Sequence, residues 1–276
     1  MYMRLKDGKT KVITLSYDDG VIEDVRLIEI LDKNGMKGTF NLNTGIYPEE
    51  GSEEAMREKV RRMTRRESIS LFKDSGHEVA VHTLTHPFLH QEDSTAVIHE
   101  VMEDRKNLEA EYGVIARGLA YPFGTYTEDT VRTLKECGIC YARTTKSTYS
   151  FDFPENWLTL HPTCHHNDEK LEELIHDFIE KPTWHNTAKM FYLWGHSYEF
   201  SRDNNWEVIE RFCEYAGNRE DIWYATNIEI YDYVTAYKRL ETSVDKKRIH
   251  NPTAIDLWFE IDKKVYKIKA GETLVL

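Results

Sequence analysis

His82 and His86 stand four residues apart, directly after a short apolar run, and two adjacent acids, Asp18 and Asp19, directly follow another such run. Two imidazoles and one carboxylate can hold a divalent cation and leave a coordination position for water. Zn, Co, Fe, Ni and Mn all suit that donor set to differing degrees. If the segment after residue 81 curls into a helical turn, both rings face one ion. Adjacent acids in a turn project in different directions, so one can ligate while the other stays free as a base. The same spacing recurs in His86/His90 and His161/His165. Pro162 opposes a regular turn in the latter, and both pairs read as surface or hydrogen-bonded histidines.

The elements that must position these residues follow from the hydrophobic pattern. Short β-prone runs at 11–17, 37–41, 77–81, 116–121, 138–144, 189–194 and 222–225 alternate with helical spacing at 21–31, 68–73, 94–112, 127–137, 170–179, 204–216 and 227–240. Alternation of this kind predicts parallel βαβ units. About seven of them predict a barrel whose active site lies at the C-terminal strand ends. The charge-dense stretch 53–66 reads as a solvated helix or insertion. The pattern changes near residue 240: Ile255, Leu257, Phe259 and Ile261 alternate with polar or amphipathic residues, a half-buried strand. The expected organisation is an α/β barrel over 1–240 with a small β appendage over 241–276 packed on it.

The 276 residues carry 36 basic and 48 acidic side chains, a net charge of −12. That balance argues against nucleic acid as partner. No apolar run approaches the ~20 residues of a membrane span, and residues 1–10 lack the apolar run of a secretory signal, so a cytoplasmic location is expected. Cys137, Cys140, Cys164 and Cys213 are too scattered for a disulfide framework. Cys137 and Cys140 read as core thiols.

Four segments in register carry a family resemblance. Leu15-Ser-Tyr-Asp-Asp-Gly20 resembles the TFDDG motif of the NodB-homology polysaccharide deacetylases (carbohydrate esterase family 4), and His82-Thr-Leu-Thr-His86 is similar to their H-(S/T)-x-x-H motif. Leu119-Ala-Tyr-Pro-Phe-Gly124 looks like a variant of their R-x-P-Y-G segment, and Leu193-Trp-Gly-His196 resembles their late Leu/His motif. The resemblance spans roughly residues 10–230. It implies a distorted (β/α)7-type barrel with one divalent metal, zinc first, on Asp19, His82 and His86. It implies Asp18 as general base, the Phe123 N–H as oxyanion donor and His196 as general acid. Leu193 and Trp194 would wall an acetyl pocket, with Tyr121 lining the substrate site.

Two departures from the pattern stand out. The family's motif-three arginine falls at Ala120, and Arg117, three residues upstream on the same predicted strand, points to the opposite face. Arg143 ends the next strand, from which it could reach Asp18 and tune that base. The fourth motif has only a loose counterpart in Asp152 and Trp157, with Trp157 the substrate-binding candidate. His165 and His166, in Pro162-Thr-Cys-His-His166, lie on a connection that could border the site and touch substrate. Tyr47, in the 46–63 insertion, is a stacking candidate.

The expected function is metal-dependent N-deacetylation of an N-acetylated oligosaccharide or polysaccharide fragment. The rivals are hydrolysis of another, possibly cyclic, amide on the same scaffold, and carbohydrate binding by a degenerate site.

Overall fold

The computed structural model describes residues 1–52, 60–182 and 187–276. Residues 53–59, half of the expected 53–66 helix or insertion, therefore lie outside the described residues. Strand β1 is Tyr2–Arg4 and β2 is Lys11–Asp18. They are followed by β3 (Gly38–Leu42), β4 (Glu78–Val81), β5 (Gly118–Ala120), β6 (Tyr141–Arg143), β7 (Cys164–His165), β8 (Lys189–Gly195) and β9 (Ile222–Tyr224). Seven parallel strands run in the order β6-β5-β4-β3-β2-β8-β7, and β9 pairs with the start of β2. The sheet is a curled half-barrel of parallel strands with helices packed on it, a distorted (β/α)7 barrel.

Strand β2 is buried over all eight residues, as the middle strand of a sheet covered on both faces must be. Its alternation sorts two cores. Ile13, Leu15 and Tyr17 pack with Leu27, Leu31, Phe40, Phe191 and Leu193 under the outer helices. Val12 packs with Tyr192, Ile230, Val234, Leu257 and Phe259. Each such side chain contributes about 1.5–3 kcal/mol on burial.

Several helix starts are fixed by side-chain caps. Thr64 and Glu67 form a reciprocal capping box at Arg65–Phe72, as do Thr226 and Glu229 at Asn227–Lys238. The 19-residue helix Ser94–Tyr112 starts on Asp93 and stops at Gly113, whose φ of 72° takes the left-handed cap. No helix among the described residues is long and apolar enough to cross a membrane.

Three expectations change. The helix placed at 21–31 runs Asp24–Lys33, because Val21 is held in an isolated antiparallel bridge to Arg62. The strands expected at 116–121 and 138–144 shorten to β5 and β6. The stretch containing His165, expected as a connection, is strand β7, paired in parallel with β8 through Cys164↔Leu193 and His165↔Trp194.

The C-terminal strands β10 (Glu241–Thr242), β11 (Arg248–His250), β12 (Leu257–Ile261), β13 (Lys264–Ile268) and β14 (Thr273–Val275) form two antiparallel sheets. One has the order β10-β11-β14; the other, β1-β12-β13, takes in the strand that opens the chain. Asp262 and Lys263, at φ 49° and 66°, make the two-residue β12–β13 turn. Arg4 and Glu260 pair across the β1–β12 contact and are nearly buried.

Candidate active site

The C-terminal ends of β2, β4 and β8 bring three titratable segments to one mouth of the barrel. Asp18 ends β2, His82 follows β4 and His196 follows β8. His82 Nε2 lies 3.9 Å from Asp18 Oδ2, and His86 Nε2 lies 3.9 Å from Asp19 Oδ1. His196 Nε2 faces both acids, 3.8 Å from Asp18 Oδ2 and 4.0 Å from Asp19 Oδ2.

The two histidines do not converge through a helical turn. Thr83 and His86 take positive φ (68° and 62°), and so do Asp19 (81°) and Phe123 (57°). Left-handed backbone at non-glycine residues costs about 1–3 kcal/mol each and gathers at functional sites. Here it turns Asp19 and His86 toward each other and sharpens the turn that carries the Phe123 N–H.

Asp19, His82 and His86 offer ligand atoms that all lie within 4.8 Å of one another. Their chemistry fits a divalent cation. The Nδ1 of His82 lies 2.9 Å from the Ala120 carbonyl, which can only accept, so the proton sits on Nδ1 and the Nε2 lone pair faces the cluster. Burial pushes both imidazoles down, His86 to about 4, so both are uncharged near neutrality. Arg62 bonds the Asp19 carbonyl at 2.6 Å and Oδ1 at 2.8 Å. It restrains that carboxylate from the far side of the loop. Nothing in the sequence pattern singled it out.

Asp18 is almost fully buried. It accepts hydrogen bonds from Asn41 Nδ2 at 2.8 Å and from the guanidinium of Arg143. Burial alone would raise its carboxyl; Arg143, with His82 and His196, outweighs burial and holds it at about 2. Arg143 is itself fully buried and lies 4.4 Å over the Trp194 ring.

The remaining candidates divide. Trp194 faces the site, edge-on to His165 at 4.6 Å. Leu193 does not: strand alternation turns it to the helix-side core with Leu15, so it cannot wall a pocket beside Trp194. Tyr121 is buried, stacked on Tyr126, with its hydroxyl donating to the Leu158 carbonyl at 2.8 Å. Trp157 lies in the second core, edge-on to Tyr231. Tyr47 meets the Tyr112 hydroxyl at 3.3 Å, on the long helix rather than over the cleft.

Two features at the mouth carry no signal in the sequence pattern. Phe88 and Phe123 are stacked at 3.8 Å and 13°, yet stay 42% and 49% exposed, with His86 edge-on to Phe123 at 4.6 Å. Glu199, on the short helix Ser197–Arg202, presents one carboxylate oxygen to His165, His166 and His196.

Residues 5–142 match the model of the polysaccharide deacetylase family. The chain belongs to that family. A Mycobacterium smegmatis structure assigned to the polysaccharide deacetylases has the same fold, with a TM-score of 0.58 at 18% identity over 86% of this chain and 94% of that one. The Streptococcus pyogenes deacetylase PplD, solved with acetate, aligns at 22% identity and a TM-score of 0.45; the match covers 53% of this chain and 61% of that one. A Bacillus anthracis family 4 pseudoenzyme aligns at 17% identity and a TM-score of 0.49, over 84% of this chain and 68% of that one. No curated protein matches the sequence.

Proposed function

We propose that this polysaccharide deacetylase family member is a metal-dependent N-deacetylase, releasing acetate from an N-acetylated oligosaccharide or polysaccharide fragment. One observation carries the reading: two acids and three histidines from three strand ends meet within about 4 Å at the mouth of the barrel. Family membership supports a saccharide as the substrate.

Asp19, His82 and His86 would hold the ion, with zinc the first candidate. A divalent cation in such a site lowers the pKa of a water and polarises an acyl oxygen. Asp18, ionised at neutral pH, takes the proton of the attacking water on Oδ2, the oxygen that faces His82 and His196. Arg143 fixes that oxygen's orientation and makes it a weak base, which returns its proton readily. The Phe123 N–H donates to the oxyanion formed at the acyl carbon. His196 delivers a proton from Nε2 to the departing amine, so that a neutral amine leaves. The Phe88–Phe123 face offers an exposed aromatic surface on which a pyranose ring can rest.

Acetate release from N-acetylglucosamine oligomers tests this reading. Wild type should release acetate, and Asp18→Asn should lose about 10²–10⁴ of the rate while keeping its metal, because only the base is neutralised. An Asp18→Asn protein that has lost its metal would show that the two acids have exchanged roles.

A further inference from the structure

We infer that Glu199, clamped by His165 and His166, is the positioning residue that aims His196 at the reacting atoms. The inference rests on the proposed deacetylation. It assigns the partner of His196 to the helical turn that follows it, since Glu199 stands three residues downstream.

The geometry is convergent. Glu199 Oε2 lies 3.1 Å from His165 Nε2, 3.1 Å from His166 Nε2 and 3.5 Å from His196 Nδ1, and the side chain is only 12% exposed. Its second oxygen faces Arg202 at 3.5 Å. His166 is buried, its ring stacked between Tyr17 at 5.7 Å and Phe200 at 4.1 Å. The ring lies directly over Gly195, where a Cβ would overlap it.

Two histidines and a glutamate could also be read as a second cation site. The proton positions argue against it. His165 Nδ1 accepts the Asn167 N–H at 3.1 Å, so in the neutral ring the proton sits on Nε2, the atom facing Glu199. A ligating nitrogen needs its lone pair there. The cluster therefore reads as a carboxylate oxygen that three imidazole edges face at ion-pair distance, 3.1 to 3.5 Å.

The consequence falls on His196. The negative charge of Glu199, 3.5 Å from Nδ1, favours a proton on that nitrogen and leaves the opposite edge, Nε2, facing Asp18 and Asp19. When His196 carries both protons, Glu199 stabilises the imidazolium that must protonate the amine. His165 and His166 hold the carboxylate so that it does not swing to solvent or to Arg202.

The test compares two substrates on metal-loaded protein. An amide needs its leaving amine protonated; 4-nitrophenyl acetate expels a stable phenolate and does not. Glu199→Gln should lower kcat on N-acetylglucosamine oligomers by about 10²-fold, with the ester rate falling no more than about threefold and KM unchanged. His165→Ala, at a partly exposed position that tolerates truncation, should give a smaller loss with the same amide selectivity. Ring 15N NMR should show Nδ1 of His196 protonated in wild type and the two tautomers mixed in Glu199→Gln. Equal losses on both substrates, no loss on the amide, or the disappearance of a second bound metal in Glu199→Gln would each overturn the inference. A wild type with the Nδ1–H signature but no amide turnover would instead refute the deacetylation and leave the positioning intact.

Discussion

Arg143 enters the site from β6, one strand beyond the Ala120 position where the family's arginine would stand, and its guanidinium still meets Asp18. Both groups are desolvated, so neither is stable alone in that position. Removing one member of a buried pair leaves an uncompensated charge and costs about 3–5 kcal/mol. Arg143→Ala should therefore lower both the urea midpoint and the deacetylation rate. Arg143→Lys restores the charge but not the planar fork and should recover part of each. A variant as stable and as active as wild type would show that Arg143 neither holds nor tunes Asp18. At this scale the sequence was informative where chemistry is local: the histidine spacing and the adjacent acids, read together with the family resemblance, put forward Asp19, His82 and His86 as a candidate donor set with Asp18 beside it. Glu199 was not legible, because its partners His165 and His166 are more than thirty positions away and meet it only through the β7–β8 pairing.

Strand ends do the positioning. Strand β8 carries Trp194 and Gly195 and leads directly into His196, and the three serve separate ends. Trp194 faces Arg143, Gly195 seats the His166 ring, and His196 points at the acids. The glycine is required by close approach. Gly195→Ala should force the His166 ring aside and cost about 1–3 kcal/mol by overpacking, read as a lower thermal midpoint; an unchanged midpoint would mean that the ring yields freely. Alternation along β8 also explains why Leu193, unlike Trp194, faces away from the site. Leu193 shares its face with Leu15 and Phe191, which the period of two in the sequence already implied. The strand β7 was invisible for a different reason: two residues after a proline give no periodicity to read. The left-handed residues Asp19, Thr83 and His86 were equally hidden, since the sequence at each permits ordinary turns.

Across the whole molecule the barrel buries carboxylates away from the site as well as in it. Glu78 accepts from Tyr141, Thr39 and the Ile228 N–H, tying β4 to β3, β6 and the helix Asn227–Lys238. Burial outweighs those donors and pushes its carboxyl up to about 7. Asp24 and Asp104 are raised in the same direction, each to about 8. A carboxyl raised on folding gives stability that is complete below its ordinary value of about 4. That stability is lost progressively as pH rises toward and through the folded value. Between about pH 7 and pH 8, where an ordinary histidine (about 6.5) has mostly lost its proton, stability against urea should therefore fall, by up to about 1.4 kcal/mol per pH unit for each group. Glu78→Gln should flatten part of that slope; a midpoint rising with pH there would contradict it. Architecture at this scale was readable from the alternation of strands and helices. The return of the chain's end to its beginning was not, because β1 is three residues long and its partner β12 lies more than 250 positions away.

The most direct test of the central claim is metal content by plasma mass spectrometry on wild type and His82→Ala, with acetate release from N-acetylglucosamine oligomers measured on the same samples. A donor set of Asp19, His82 and His86 predicts about one divalent ion per chain in wild type, and loss of both ion and acetate release in the variant. Acetate release by a wild type that holds no metal after reconstitution, or a His82→Ala protein that keeps both metal and activity, would contradict it.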